Sequence, residues 1–88
     1  MHYVYVLKSL KNGRLYFGRS DDLRRRLSEH KAGKVYTTAR MLPVELVYYE
    51  AYKDEQDSKD REQSFKHSGS VYNGLVKRIV RSLQREIS

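Results

Sequence analysis

The sequence predicts an α+β fold, a small three-stranded antiparallel sheet flanked by about three helices, and three observations carry that expectation. Two short aromatic and aliphatic runs, residues 3–7 and 15–17, flank Lys11-Asn12-Gly13-Arg14, and Asn-Gly between such runs is the strongest local hairpin signal. A third run, Val44–Tyr52, is rich in Val, Leu and Tyr and supplies the remaining strand. Helical spacing of apolar residues, or helix-capping chemistry, marks residues 23–30, 54–67 and 71–86.

Taken in order, residues 3–7 alternate aromatic and aliphatic side chains with no breaker, as a largely buried strand does. Asn-Gly readily takes the positive φ angles of a tight turn, so Leu15-Tyr16-Phe17 returns antiparallel to the first strand. Gly18 closes that strand, and a residue without Cβ lets another group approach the backbone. Ser20, Asp21 or Asp22 then caps the first helix, which Gly33 stops. Leu23 and Leu27 share one face of that helix, Arg26 and His30 fall near the same line, Arg24 sits on its shoulder and Arg25 points away. A basic helix ordinarily exposes its arginines to water, but an Arg26/His30 pair at i, i+4 beside a tyrosine-bearing strand is also what a phosphate site needs.

Residues 34–43 show no period and read as a surface loop carrying Lys34, Tyr36 and Arg40, either a connector or a phosphate-contacting segment. Asp54 caps a second helix that runs to about His67, where Ser68-Gly69-Ser70 breaks it and Ser70 starts the next. Phe65 is the one large apolar residue of the second helix, with Ser58 on the same side and Glu62 one turn earlier. In the last helix Tyr72, Leu75, Val76, Ile79, Leu83 and Ile87 gather on one side. Lys77, Arg78, Arg81 and Arg85 gather on the other, as a solvated face or as an electrostatic track for a phosphate backbone.

Length and charge bound the function. The 88 residues suit one domain, 1–88, with a modest core. A formal charge of +7, from 18 Lys and Arg against 11 Asp and Glu, favours a polyanionic partner, with nucleic acid first. The absence of cysteine excludes disulfides, thiolate metal sites and a cysteine nucleophile, and fits a reducing cytoplasm. The first residues are too short for a signal segment, and no apolar run approaches membrane-spanning length, so no membrane partner is expected.

No P-loop, dinucleotide fingerprint, HExxH or nucleophile elbow occurs, and His2, His30 and His67 lack metal-ligand spacing. What remains is Tyr, Arg, His and one placed Glu in a basic chain, which suits phosphodiester hydrolysis. Arg26 can present a planar set of donors to the non-bridging oxygens. Glu62 can bind a single hard divalent cation, Mg²⁺ or Mn²⁺, that keeps several waters. Tyr16 or Tyr5 can orient a water and accept its proton, and His30 can take that role or hold a phosphate.

Tyr3-Val4-Tyr5, Tyr16-Phe17-Gly18, the segment from Leu23 to His30 and Arg61-Glu62-Gln63-Ser64-Phe65-Lys66 together resemble the GIY-YIG nuclease superfamily. The likeness is nearest to its small stand-alone bacterial members, and extends to the catalytic domain of the excision-repair endonuclease. The resemblance implies that Tyr5 and Tyr16 are the motif tyrosines, Arg26 the essential arginine, His30 the histidine one turn later and Glu62 the metal ligand. It also sets Arg19 where a basic residue follows the motif glycine, and Asn73 near a supporting asparagine. Tyr3 replaces the usual glycine of the first motif and Phe17 the isoleucine of the second, both read as facing packing or strand interior. The implied activity is a metal-dependent DNA endonuclease, structure-specific in repair or recombination, with a protein partner supplying specificity. The alternative is a non-catalytic nucleic-acid binding module on the same fold.

Overall fold

The computed structural model describes residues 1–84. Among these, β1 (His2–Ser9), β2 (Leu15–Ser20), α1 (Leu23–Lys31), α2 (Tyr36–Ala39), β3 (Val44–Tyr52), α3 (Glu55–His67), α4 (Gly69–Arg78) and α5 (Val80–Leu83) follow in chain order. The strands form one antiparallel sheet in the order β2-β1-β3, as the α+β expectation requires. None of the described helices is long and apolar enough to cross a membrane.

The uninterrupted apolar character of β1 follows from its central place, because it is covered on both faces. Val4 and Val6 pack with Phe65, Leu75 and Ile79 on one side. Tyr5 and Leu7 pack with Val44, Tyr16, Leu23 and Leu27 on the other. A register shift between Val6 and Leu7, whose partners on β3 are Tyr48 and Leu46, accommodates Val47 as an extra residue.

The hairpin forms, but not through a two-residue turn. Gly13 (φ 76) and Gly33 (φ 75) alone adopt positive φ among the described residues, so Asn12 does not. Instead the Ser9 amide donates to the Arg14 carbonyl at 2.8 Å and the Gly13 amide to the Ser9 carbonyl at 2.8 Å. Asn12 works through its side chain, whose Oδ1 accepts from the Arg14 amide at 3.0 Å.

Two other expectations need correcting. Residues 34–43 hold the short helix α2, because Thr38 is drawn into the interior as a partner of His30. The last helix starts at Gly69, capped by the Ser68 hydroxyl and not by Ser70. It breaks at Ile79 (φ −111, ψ 26), a kink that leaves Ile79 itself in the core. The Lys8 ammonium donates to the Leu83 carbonyl at the end of α5. Arg85 and Ile87 lie outside the described residues.

Helix α3 buries only Ser58 and Phe65, yet it is fixed firmly through its neighbour β3. Arg61 donates to both oxygens of Glu50, Nε at 2.9 Å and Nη2 at 3.1 Å, and its guanidinium lies 4.3 Å from the Phe65 ring centroid. The hydroxyls of Tyr48, at 2.5 Å, and of Tyr52 also donate to Glu50. Burial pushes the Glu50 carboxyl up, but these donors together hold it below the usual range.

Gly18 pairs with Tyr5 across the hairpin, and a Cβ built on it would stand 2.5 Å from both Cζ and Oη of Tyr5. A Cβ on Gly74 in α4 meets nothing within 4 Å. Chemical denaturation is therefore expected to separate the two substitutions in sign: Gly18→Ala loses about 1–3 kcal/mol by overpacking, whereas Gly74→Ala gains about 0.5–1 kcal/mol of helix propensity.

Candidate active site

Helix α1 enters the sheet's tyrosine-bearing face because Asp22 caps it, its carboxylate accepting from the Arg25 amide at 3.1 Å. Leu23 and Leu27 then seat the helix on Tyr5 and Tyr16. That seating drives His30 to complete burial, at 0% exposure. The imidazole is bonded at both nitrogens, Nε2 to the Tyr5 hydroxyl at 2.7 Å and Nδ1 to the Thr38 hydroxyl at 2.6 Å. Thr38 in turn donates to the Val35 carbonyl at 3.4 Å, which leaves its lone pairs for Nδ1–H. On that pattern Nε2 is the bare nitrogen, and Tyr5 donates to it.

Burial first, and then the Arg26 charge, hold His30 below its usual pKa, so it is neutral at neutral pH. Burial pushes the Tyr5 phenol up to about 12, outweighing Arg26 beside it. Desolvation thus favours the neutral phenol at Tyr5 over the phenolate, against the pull of the neighbouring Arg26 charge. His30 also differs from expectation: wholly enclosed, it does not face a phosphate, and the Tyr5 and Thr38 side chains bonded to it are buried as well. Tyr16 is the half-buried member of the set, its ring edge-on to His30 with centroids 5.3 Å apart.

Arg26 stays partly exposed, and its Nη1 donates to Glu29 at 3.0 Å. Glu29 first and Tyr5 next hold the guanidinium more firmly protonated. Sequence reading passed over Glu29, although its i, i+3 spacing from Arg26 is a helix-surface signal. Thr38 was also missed, and nothing in its local pattern marks it.

Glu62 approaches from α3 on the β2 side. Its Oε1 lies 3.7 Å from Arg19 Nε and its Oε2 3.3 Å from Lys66 Nζ, with the side chain 17% exposed. Arg19 Nε is buried without a hydrogen-bond partner among the described residues, and Arg19 Nη1 is 3.6 Å from Glu55. Arg19 links the two helices' groups: its Nε lies 3.7 Å from Glu62 of α3, and it lines one concavity with Arg26 of α1. Arg19, Arg25, Arg26, Glu55 and His2 line an open concavity of about 310 Å³ beside them.

A divalent cation at Glu62 is chemically compatible with this arrangement. The carboxylate's contacts to Arg19 and Lys66 are long, and a single carboxylate suits a hard cation that keeps most of its waters. No group of three or more His, Cys, Asp or Glu able to enclose an ion occurs among the described residues.

The remaining cationic candidates divide between the two sheet faces. Lys34, Tyr36 and Arg40 are exposed around α2, where Arg40 Nη2 donates to the Tyr36 hydroxyl at 2.7 Å. Lys77, Arg78 and Arg81 are exposed on α4 and α5, which pack through Leu75 and Ile79 on the opposite face. Asn73 is exposed on α4.

Residues 1–73 match the GIY-YIG catalytic domain. The UPF0213 protein of Lacticaseibacillus paracasei is 42% identical over 67 residues, which cover 75% of this chain and 74% of that protein. The UPF0213 protein SAG0778 of Streptococcus agalactiae is 46% identical over 66 residues, 73% of each chain. The solution NMR structure of the UPF0213 protein BH0048 from Bacillus halodurans superposes with a TM-score of 0.56 at 35% identity, covering 88% of this chain and 83% of that one.

The neutral, enclosed His30 makes stability depend on pH. Below histidine's ordinary pKa of about 6.5 the unfolded chain takes up a proton that the folded chain excludes, so stability is full above that pH and falls below it. Thermal melts between about pH 7.5 and 5.5 should show the wild-type midpoint dropping with acidity, and a flatter profile for His30→Gln, which removes the titrating group.

Proposed function

The chain belongs to the GIY-YIG family, and from that premise we propose that it is a metal-dependent endonuclease hydrolysing phosphodiester bonds in DNA, with a structure-specific role in repair or recombination. The observation that carries the reading is that Arg19 lies 3.7 Å from Glu62 of α3 and lines one concavity with Arg26 of α1. The basic balance of the chain adds to it.

In this reading Arg26 donates to the non-bridging oxygens of the scissile phosphate, and its tether to Glu29 limits the orientations it must lose on binding. Arg19 adds a second cation on the wall of the same concavity. Tyr16, the phenol that solvent reaches, orients the attacking water. Tyr5, kept a neutral phenol by burial, is oriented by donating to Nε2 of neutral His30, so it acts through hydrogen bonds and not as a phenolate base. Glu62 is the residue that would hold Mg²⁺ or Mn²⁺, and the bound cation would neutralise charge developing on the leaving oxygen.

A non-catalytic nucleic-acid binding module is the second reading. It is favoured by Glu62 already lying between Arg19 and Lys66. Incubation with branched and linear DNA plus Mg²⁺ or Mn²⁺ separates the two. Cleavage should fall at least about 100-fold in Arg26→Ala, and Arg26→Lys should not restore it because a point charge lacks the fork. Glu62→Gln should abolish the response to added metal while leaving metal-free DNA binding intact. Salt-sensitive binding by the wild type with no cleavage of any substrate would establish the module instead.

A further inference from the structure

A second concavity, of about 600 Å³, opens beside the candidate active site and is used by none of the steps above. Leu23 and Leu27 line it from α1, Tyr3 and Tyr49 from the sheet, and Arg24 and Arg25 from the outer surface of the helix. Tyr3 and Tyr49 meet edge to face, with ring centroids 6.1 Å apart and planes at 61°. Tyr49 remains 53% exposed. A lone exposed tyrosine is ordinary, but an aromatic pair beside two leucines forms a coherent apolar surface. Nothing in the described fold covers it.

The aromatic lining and continuity with the neighbouring concavity identify the occupant. Asp21 and Arg25 line both this groove and the concavity that holds Arg19 and Arg26, so one extended ligand can run from one into the other. On the rim Asp21 pairs with Arg25 at 3.7 Å and Asp22 is held as the helix cap by the Arg25 amide, so the acids and arginines of the lining balance and the groove's distinguishing feature is its aromatic wall. A group that is planar, apolar on its faces and joined to a phosphate fits such a place. We infer that the Tyr3/Tyr49 groove is a stacking subsite for one unpaired nucleobase next to the phosphate at Arg26. The inference rests on the nucleic-acid reading given above and extends it: the preferred ligand carries a single-stranded or splayed-out nucleotide, because a base inside an intact duplex has no free face.

Metal-free binding tests this separately from cleavage. Fluorescence anisotropy of a short fluorescein-labelled single-stranded DNA should show about 10-fold weaker binding by Tyr49→Ala and nearly unchanged binding by Tyr49→Phe, which keeps the ring. A blunt duplex should bind both variants as it binds the wild type. The chain has no tryptophan, so Tyr49→Trp supplies a single indole, whose emission should be quenched by the single strand and not by inorganic polyphosphate. Unquenched emission together with wild-type affinity in Tyr49→Ala would overturn the subsite, while leaving the nuclease reading to the Arg26 and Glu62 variants. Absence of binding to any nucleic acid at low salt would remove both.

Discussion

The hydrogen-bonded line Tyr5–His30–Thr38 is the constraint around which this small protein is arranged. It joins the central strand, the first long helix and the short helix that follows, using three side chains that are at most 1% exposed. Each member is satisfied by its neighbour, as an enclosed polar chain must be if it is not to weaken the fold. Gly18 completes the arrangement, since its missing Cβ is the space the Tyr5 ring occupies. The neighbouring residue, Arg26, and the half-buried Tyr16 are thereby held at fixed positions on the same face.

The other face is fixed differently. Helix α3 has too little apolar surface to dock by burial alone, and Glu50 makes up the difference by gathering Arg61, Tyr48 and Tyr52. Because Arg61 and Glu62 are adjacent, the clamp that turns one toward β3 sets the direction of the other toward β2 and Arg19. Removing one partner of such a half-buried pair costs more than the pair is worth against water, because the charge left behind is poorly solvated. The position of the Glu62 carboxylate is therefore tied to a cluster on the far side of its own helix.

Much of this was legible in the residues. The alternation in residues 3–7, the Asn-Gly punctuation and the Leu23/Leu27 spacing determine the sheet and the seating of α1, because burial on a pleated or helical face leaves a period in the sequence. The prominence of Arg26, His30 and Glu62 was legible as well, from spacing and resemblance. What stayed hidden is of another kind. Thr38 becomes interior through one hydrogen bond to a side chain of the preceding helix, and Glu50 is held half-buried by three donor residues from two elements, and neither leaves a period. The depth of His30 was also concealed: helical phase tells which way a residue points, whereas the thickness of what lies above it depends on α2. The kink at Ile79 likewise answers to packing and not to a breaker in the sequence.

The contact between Arg26 and Glu29 bears on how discriminating this surface is. A guanidinium already held by a carboxylate on its own helix is a poor scavenger of stray anions, since each newcomer must compete against a rival present at high effective concentration. Small monovalent solutes lose that contest. A ligand touching several cations at once wins it, so intramolecular neutralisation turns a sticky basic patch into a filter for multivalency.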